Sequence, residues 1–537
     1  MVERLLTLKE VSEYLNTHKM TVYRLAQRRK IPASKVGRVW RFKRQKIDQW
    51  LDKQANSRKK KRRKRGREKF MGTLVTSNYV EKRKSPRATV KIPLRVRHAG
   101  STSPTLNAKT VDLSEGGVRL SLPDNLKLPK NPILEFTLPQ ALEDFRIYTD
   151  IVWSDGPHYG LRFKDLERKQ AANLKRILWH SENYIEKNIA DLLDKASPVM
   201  RSKIRSFFIT DVRAYLDQIS SLCVRMERQK LDKRVGQEKF NVKTNDIAKR
   251  GDGLEQALDH KLLTKEIKHR FRSVIDSWVT ESELYKRGIE KPRGYPGDYL
   301  LLEKIYDNRP ESRGVGYYYD RHFLNNSYAG SVRKRKDKMV EILGDFIKNA
   351  NLPSVKILNL ASGSCREIKE LFEKLIQVKG TVKIACIDHD EEALKYSQKT
   401  LNNLPKNVQV VFMKENVITM PERQTDFTES LGRQDLIYSL GLIDYVPDRI
   451  LKNMLKFWFG LLAPEGRLIL THKDRDRDPQ APLVPDWFCD WKFIPRNEEH
   501  LVSLVKDSIK NAHFKLERDA TGKIIFLSVD NIAVLAK

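Results

Sequence analysis

Four residues in the last third of the chain have the side chains and the spacing to hold a cofactor. Each ends or follows a short apolar run, and they are Gly363, Asp388, Asn416 and Tyr438. A glycine lets a ligand approach the backbone closely, and a carboxylate at position 388 could accept hydrogen bonds from both hydroxyls of a ribose. The pattern therefore predicts a cofactor site at these positions.

The elements that must position these residues follow from the apolar periodicity. Short strand-like runs alternate with helical patterns at 355–360, 382–387, 408–414, 435–440 and 467–471. Such alternation predicts a doubly wound α/β fold with a mostly parallel sheet. The later runs 514–518, 524–529 and 532–536 could add a closing antiparallel pair. Ligands of such sheets bind beyond the carboxyl ends of the strands, where the four candidate residues fall.

This order of motifs resembles the class I methyltransferases that use S-adenosylmethionine. Four segments carry the likeness: 359–364 (Asn-Leu-Ala-Ser-Gly-Ser), 387–388, 435–438 and 462–466. The resemblance implies S-adenosylmethionine as the cofactor. The first segment departs from the family, because it has one glycine rather than three and Asn359 replaces the usual acid. A dehydrogenase is less compatible with so glycine-poor a loop, and the remaining alternative is a domain of this fold that has lost cofactor binding.

A second likeness lies just upstream. The segments 291–299, 305–307 and 331–335 resemble the family that forms a methyl ester of 3-hydroxypalmitate, which implies a small, fatty-acid-like carboxylate acceptor. A carboxylate is already anionic at neutral pH, so its methylation needs positioning rather than a strong base. We expect 294–298 to form a lid that places Tyr295 and Asp298 near the pocket, and His472 could act as a base for a hydroxyl acceptor. The alternatives are a plain turn for the lid segment and a solvated position for His472.

Residues 80 to about 165 contain short strand-like runs separated by turn residues, which predicts a small β-barrel. Arg83 and Arg87 precede the first run, and Asp112, Ser114 and Gly117 follow the second. This joint pattern resembles the PilZ domain and implies binding of cyclic di-GMP. In that setting the arginines would hold phosphates and stack on guanine, and Asp112 and Ser114 would bind a guanine edge. The alternative is a degenerate barrel that binds no nucleotide.

The first 54 residues read as two short helices, a hairpin and a closing helix. Thr7 and Glu10 form a capping-box pattern, and the segments 8–15, 21–25 and 37–42 resemble the excisionase-type winged helix-turn-helix family. The resemblance implies DNA binding by the second helix and the wing. The candidate DNA-binding residues are His18, Lys19, Thr21, Arg24, Arg38 and Arg41. A small protein-binding helical domain with a basic face is the alternative.

Charge separates the ends of this chain of 537 residues, whose net charge is +34. Residues 1–70 hold 24 basic and 6 acidic residues, whereas residues 341–537 hold 28 of each. This asymmetry predicts a polyanionic partner for the N-terminal part and argues against a nucleic-acid substrate for the C-terminal domain. Four cysteines without metal-type spacing argue against a disulfide scaffold and a zinc finger. No apolar run is long enough to span a bilayer, and we expect a cytoplasmic protein without a metal.

The expected domains are a helix-turn-helix (1–54), a basic linker (55–79), a PilZ barrel (80–180), a helical connector (181–259), a lid region (260–340) and the methyltransferase (341–537). The polar run 243–253, with two glycines, could be a linker within the connector, and the connector could support a homodimer. Together these features predict a DNA-associated bacterial methyltransferase that responds to cyclic di-GMP. Two alternatives stay open: a transcription regulator whose domains only sense ligands, and an enzyme whose basic N-terminus anchors it to nucleoid or membrane.

Overall fold

The computed structural model describes residues 5–14, 22, 26, 31–36, 39–50, 86–98, 105–123, 126–136, 145–375 and 378–532. The chain divides into two compact units, Met1–Lys82 and Arg83–Lys537. Within the described part, no helix combines the length and the apolarity needed to cross a membrane.

In the first unit, helix α1 (Leu8–Tyr14) begins with the predicted capping box. The Thr7 backbone N–H donates to Glu10 Oε2 at 2.7 Å, and the Glu10 N–H donates to Thr7 Oγ1 at 3.3 Å. Strands β1 (Ser34–Val36) and β2 (Val39–Arg41) pair antiparallel at the place predicted for the wing. A small core holds these elements together, and it contains Val11, Val22, Ala26, Ile31, Phe42 and Ile47.

The second unit begins with the predicted barrel, which is closed in the order β3-β4-β5-β8-β7-β6. Its strands are β3 (Pro93–His98), β4 (Leu106–Ser114), β5 (Gly117–Ser121), β6 (Pro132–Phe136), β7 (Phe145–Asp155) and β8 (His158–Phe163). Alternate residues of the strands point inward, so that side chains such as Leu113, Leu120 and Phe136 are fully buried. Closure leaves no strand edge unpaired within the barrel.

A helical layer follows the barrel. Its helices are α2 (Arg168–Leu178), α3 (Glu182–Asp194), α4 (Pro198–Ser206), α5 (Arg213–Glu227), α6 (Lys233–Leu258), α7 (Lys261–Val279), α8 (Glu283–Glu290), α9 (Tyr299–Asp307), α10 (Val315–Asn325) and α11 (Ser327–Asn349), with a π-helical turn at Phe207–Val212. One apolar cluster runs from the barrel through this layer and includes Leu113, Phe271 and Trp487. The linker predicted at 243–253 is wrong, because these residues lie inside α6. Gly251 is needed there for packing, since a side chain at this position would collide with the Trp487 ring.

The C-terminal sheet has seven strands in the order β11-β10-β9-β12-β13-β15-β14. These strands are β9 (Ser354–Leu360), β10 (Thr381–Asp388), β11 (Val408–Lys414), β12 (Gln434–Leu440), β13 (Leu462–Lys473), β14 (His513–Arg518) and β15 (Ile524–Asp530). The first five are parallel and β15 runs antiparallel between β13 and β14, which confirms the doubly wound sheet and its closing pair. Of the further run predicted at 532–536, the structure describes position 532 alone.

Helices cover both faces of this sheet. They are α12 (Arg366–Lys374), α13 (Glu391–Thr400), α14 (Gln424–Leu431), α15 (Asp448–Gly460), α16 (Leu483–Cys489) and α17 (Glu498–Ser508), with a 3-10 turn at Met420–Arg423. The chain enters the sheet at its centre, in β9, and then moves outward first on one side and later on the other. The direction of winding therefore reverses between β9 and β12, and this is the place where such sheets form a ligand crevice.

Candidate functional site

The turn after β9 and the end of β10 meet at the carboxyl edge of the sheet. The Gly363 N–H donates to Asp388 Oδ2 at 2.8 Å, and the Asp390 N–H donates to Asp388 Oδ1 at 2.9 Å. Gly363 has a φ of +55°, and the space in which its Cβ would stand is open. Asp388 is only 5% exposed, so two backbone donors hold its carboxylate at a fixed position. Two of the four residues predicted to bind the cofactor, Gly363 and Asp388, are thus in direct contact.

The predicted lid segment reaches the same edge. Arg293 forms a bidentate ion pair with Asp390, with Nε 2.8 Å from Oδ2. The Tyr295 hydroxyl donates to Asp390 Oδ2 at 3.2 Å, and the Tyr295 ring lies 5.0 Å from the His389 ring. Burial would raise the pKa of Asp390, but the Arg293 guanidinium and the hydrogen bonds from the Glu392 N–H and Tyr295 together outweigh it, and the pKa is lowered. Asp390 therefore stays ionised and fastens Tyr295 beside Asp388.

Asp298 occupies the other end of this segment and caps helix α9. Its Oδ1 accepts hydrogen bonds from the Leu301 N–H at 3.0 Å and from Arg287 Nε at 2.8 Å. The side chain is 2% exposed. Gly297 has a φ of +71°, and a Cβ there would collide with Trp491. In this conformation Asp298 fixes the direction in which the segment leaves α8, and direct contact with a substrate stays a prediction.

The other two predicted cofactor residues differ in exposure. Asn416 is exposed just after β11, and its Oδ1 accepts the Ile418 N–H at 3.0 Å within a turn. The neighbouring Glu415 N–H donates to the Asp388 carbonyl at 3.0 Å, which brings this turn to the β10 end. Tyr438 is fully buried, and its hydroxyl donates to Glu367 Oε1 at 2.8 Å. Asn416 is therefore open to a ligand, whereas Tyr438 supports a neighbouring carboxylate.

Glu303 of α9 fastens the helical layer to the turn after β9. Its carboxylate accepts hydrogen bonds from Ser364 Oγ at 2.7 Å, Arg366 Nη1 at 2.8 Å and Tyr396 OH at 2.9 Å. The turn is thus held from two sides, by Asp388 and by Glu303. Open space above Gly363 thus lies beside two fixed carboxylates, and the role of Asp388 toward a ribose stays a prediction.

His472 belongs to another strand, close to the end of β13, and lines a cavity of about 210 Å³. Its Nδ1 lies 2.7 Å from Asp444 Oδ1, and both side chains are at most 2% exposed. Burial opposes ionisation of Asp444, but His472, Arg335 and Lys473 outweigh it and lower its pKa. Sequence reasoning proposed a solvated position as the alternative for His472, and its burial contradicts that alternative.

Lys473, Lys523 and several apolar residues complete the cavity. Burial lowers the pKa of Lys473 well below its usual value, and its Nζ lies over the Tyr328 ring. Among the described residues, Lys473 Nζ has no hydrogen-bond partner. The apolar wall includes Ala481, Pro482 and Phe493. The cavity therefore offers to a small molecule an apolar wall and a buried amine that the described residues leave without a hydrogen-bond partner.

On the barrel, Arg87 forms an ion pair with Asp112, and Arg119 Nη2 lies 2.9 Å from the other oxygen of the same carboxylate. Asp112 and Arg119 are directly opposite each other on β4 and β5. The side chains of Arg87 and Arg119 are 23% and 43% exposed. Two accessible guanidinium groups around one carboxylate leave a net positive charge that fits a phosphodiester. Arg83 lies outside the described residues.

Ser114 and Gly117 serve the turn between β4 and β5. Ser114 is 6% exposed, and its Oγ donates to the Gly117 carbonyl at 3.1 Å. A Cβ at Gly117 would collide with the Leu161 carbonyl of β8. The close approach that requires glycine at this position is therefore that of a neighbouring strand, and the turn is a rigid support for Asp112.

Of the candidate DNA-binding residues, the structure describes Arg41 alone, at the end of β2 with Nη1 donating to the Trp40 carbonyl at 3.1 Å. The others lie outside the described residues, as does the basic run 58–67. In the antiparallel β1–β2 hairpin Arg41 lies opposite Ser34, at the other end of the hairpin from the Val36–Val39 pair.

Sequence reasoning missed five residues that shape the C-terminal site: Arg293, Glu303, Glu367, Asp390 and Asp444. Asp390 stands two positions after Asp388, and Arg293 lies inside the segment 291–299, so both were visible as charged neighbours of predicted residues. Glu303, Glu367 and Asp444 lie in ordinary helical or loop sequence, and only the folded chain brings them to the site.

Comparison with known families now places two of the domains. Residues 5–55 match the helix-turn-helix domain family, and residues 81–179 match the PilZ domain family. These matches confirm both predictions of family likeness. No curated protein matches the sequence.

Solved structures similar to this chain include methyltransferases. Magnesium protoporphyrin IX methyltransferase from Synechocystis PCC 6803 with bound S-adenosylhomocysteine is 13% identical, with 38% of this chain and 87% of that chain covered and a TM-score of 0.29. The N-methyltransferase NodS from Bradyrhizobium japonicum is 11% identical, with 37% and 96% covered and a TM-score of 0.26. The S-adenosylmethionine-dependent methyltransferase SibL is 12% identical, with 57% and 88% covered and a TM-score of 0.32.

Proposed function

We propose that the chain is an S-adenosylmethionine-dependent methyltransferase that is held on DNA by its N-terminal unit and responds to cyclic di-GMP through its barrel. The observation that carries the enzymatic part is the contact between Gly363 and Asp388 beneath open space at the carboxyl edge of the sheet. A carboxylate held by two backbone N–H groups cannot turn away, so it is preorganised for the two hydroxyls of a ribose.

When it is bound, S-adenosylmethionine supplies the methyl group. The chain would contribute position: Asp388 and Asn416 would hold the nucleoside, and Tyr295 would cover it, because Arg293 and Asp390 fasten the lid segment next to Asp388. Excluding water from this edge strengthens every charge interaction within it.

The cavity beside His472 supports a small carboxylate as the methyl acceptor. Lys473 and Lys523 line it together with apolar side chains, and Lys523 Nζ lies 2.9 Å from Asp478. A carboxylate bound at Lys473 would give that buried amine an anionic partner and would need no base. For an acceptor that reacts through a hydroxyl, His472 would take the proton, and Asp444 would stabilise the resulting imidazolium.

Contacts between the barrel and the helical layer support control by cyclic di-GMP. The Tyr184 hydroxyl donates to Glu115 Oε1 at 2.9 Å, in the turn between β4 and β5, and Lys187 Nζ donates to the Arg87 carbonyl at 3.4 Å. Helix α3 thus contacts both halves of the messenger motif. We expect a ligand that moves Arg87 to act on α3 as well.

The layer also offers a route from the barrel to the lid. Arg176 of α2 donates to the Ser277 carbonyl and to Glu281 Oε1, the latter at 2.9 Å, just before α8. Helix α8 leads directly into the lid segment and is tied to its end by Arg287 and Asp298. A shift of α2 or α3 could therefore change how the lid rests on Asp390.

Calorimetric titration of the full chain with S-adenosylmethionine tests the enzymatic part, followed by transfer of a labelled methyl group in a bacterial extract with and without cyclic di-GMP. We expect micromolar binding, and we expect Asp388→Asn to weaken it about tenfold, since one charge-assisted hydrogen bond contributes about 1.5–3 kcal/mol. Asp345→Asn, on the exposed surface of α11, is the matched control and should leave binding unchanged. If the wild-type chain takes up no S-adenosylmethionine, the proposal fails and a ligand-sensing regulator replaces it.

A further inference from the structure

Glu367 is a buried carboxylate whose hydrogen-bond donors are neutral. It is 4% exposed, and its Oε1 accepts hydrogen bonds from Asn359 Nδ2 at 2.9 Å and from the Tyr438 hydroxyl at 2.8 Å. The described residues place no cationic side chain within 4.0 Å of it, whereas Glu303 and Asp388 have their own charged or backbone donors. A buried carboxylate is normally paired with a cation or becomes protonated, and burial raises the pKa of Glu367. A cationic ligand would resolve this conflict.

The place of Glu367 in the fold supports such a ligand. Asn359 lies one residue before the end of β9 and Tyr438 two residues before the end of β12, and they are direct partners on adjacent parallel strands. They flank the position where the winding of the sheet reverses, which is where sheets of this kind bind ligands, and Glu367 is hydrogen-bonded to both. The acid absent at position 359 is thus supplied from the first turn of α12.

Arg335 provides a charge of the opposite sign beside the residue that follows β12. It is 5% exposed, its Nε has no hydrogen-bond partner among the described residues, and its Nη1 lies 3.8 Å from Asp444 Oδ2, beyond hydrogen-bond distance. The guanidinium lies over Gly441, directly after β12, where a Cβ would collide with it. It is a buried cation whose partners are incomplete.

Both charges lie near the end of β12. Glu367 accepts a hydrogen bond from the Tyr438 hydroxyl, and the Arg335 guanidinium lies over Gly441, three positions further along the chain. Both also act on the Tyr306 hydroxyl, whose pKa is raised by burial, lowered by Arg335 and raised by Glu367. Opposite charges near one strand end, with no ion pair between them among the described residues, complement a zwitterion.

We propose that Glu367 and Arg335 bind the amino-acid end of S-adenosylmethionine, with Glu367 accepting from its ammonium group and Arg335 donating to its carboxylate. This inference rests on the proposed function. It explains how a turn with a single glycine can hold the cofactor: side-chain charges replace the backbone contacts that a glycine-rich turn offers.

Calorimetric titrations of the full chain with S-adenosylhomocysteine and with methylthioadenosine test this assignment, because both are uncharged at sulfur and only the first has the amino-acid end. We expect Glu367→Gln to weaken binding of S-adenosylhomocysteine at least tenfold and binding of methylthioadenosine less than twofold. We expect the same selective loss for Arg335→Gln. Binding of methylthioadenosine by each variant also reports that its crevice is folded.

Glu373→Gln is the matched control, because Glu373 lies on the same helix with a side chain that is 60% exposed. It should change neither affinity. A variant at Glu367 or Arg335 that weakens both compounds equally, or neither, would overturn the assignment and leave the proposed function standing. A wild-type chain that binds neither compound would instead overturn the proposed function.

Discussion

In the barrel, the residues assigned to cyclic di-GMP lie between positions 83 and 117, on an arm and two adjacent strands, and Arg87 and Arg119 are partly exposed. In the C-terminal sheet, the residues assigned to the cofactor come from separate segments between positions 293 and 438, and Asp388 and Glu367 are buried. One site is local and open, and the other is assembled from distant segments around buried carboxylates. A short motif can identify the first, whereas the second depends on the order of the strands.

The two sites should also differ in how they respond to change. Ion pairs near the surface are screened by water and exchange partners at small cost, so Arg87 can leave Asp112 for a phosphate. Buried charges lose several kcal/mol when a partner is removed, which favours a site that is rigid before its ligand arrives. The barrel is therefore suited to sensing and the sheet edge to positioning.

The largest effect that we expect is at Arg87. Arg87→Ala should weaken binding of cyclic di-GMP by about 100-fold, because two charge-assisted hydrogen bonds to a phosphate are lost. Arg119 still pairs with Asp112 in this variant, so the barrel should keep its thermal unfolding temperature. Isothermal titration calorimetry measures the affinity, and circular dichroism checks the fold.

Arg146→Ala is the control for this experiment, because Arg146 is an exposed arginine of the same barrel that pairs with Glu135. It should bind cyclic di-GMP as the wild-type chain does. If Arg87→Ala and Arg146→Ala lost the same affinity for cyclic di-GMP, only the overall charge of the barrel would matter. The barrel would then have no local binding site around Arg87.

The stability of the helical layer that supports the lid should depend on pH more strongly than the stability of the barrel. His322 is buried, with Nδ1 2.7 Å from the Tyr285 hydroxyl and Nε2 3.1 Å from Asn245 Oδ1, and burial lowers its pKa to about 3. The unfolded chain therefore binds a proton near pH 6.5 that the folded chain does not. Stability is complete above that pH and falls by about 1.4 kcal/mol per pH unit below it, so about 2 kcal/mol is lost at pH 5.

Hydrogen exchange followed by mass spectrometry, corrected for intrinsic pH effects, can measure this loss separately in each region. Protection of residues 283–325 should fall at pH 5 in the wild-type chain and fall less in His322→Gln. His269→Gln, at an exposed position of α7, should behave as the wild-type chain. If the barrel lost protection at pH 5 to the same extent as residues 283–325, the two regions would unfold together, and the difference expected between them would be wrong.

The folds of the domains could be predicted from the sequence because they depend on patterns among residues close together in the chain. Strand alternation, the capping box at Thr7 and Glu10, and the motif around Asp112 all depend on neighbours a few residues apart. The strands predicted at 355–360, 382–387 and 408–414 match β9, β10 and β11 within one residue at each end. Candidate positions at strand ends could be named for the same reason.

The partners of those positions could not be named, because they depend on contacts over long distances in sequence. Nothing near Asp390 indicates that Arg293 pairs with it from 97 residues away. The segment 243–253 was misjudged for a related reason: its glycines resemble a linker locally, and only the Trp487 ring, brought in by α16, explains Gly251. Buried charges such as Glu367 give no signal in sequence, since burial itself is a tertiary property.

The smallest effect that we expect tests whether the two regions communicate. Tyr184→Phe removes the hydrogen bond from α3 to Glu115 while leaving the ring, which packs edge-to-face against Trp179 at 5.1 Å. Such a bond contributes about 1 kcal/mol, so the affinity for cyclic di-GMP should change about threefold or less. If α3 carries the signal to the lid, the effect of cyclic di-GMP on methyl transfer should shrink by a larger factor than the affinity does.

Tyr148→Phe is the matched control, because Tyr148 is exposed on β7 of the same barrel. It should preserve both the affinity and the response to cyclic di-GMP. Measured at saturating cyclic di-GMP, a Tyr184→Phe chain with a full response would show that the messenger acts through another contact, such as that of Lys187 with the Arg87 carbonyl. At saturation the wild-type and Tyr184→Phe chains are equally occupied by cyclic di-GMP. A reduced response of the variant would therefore show that the barrel acts on the C-terminal site through α3.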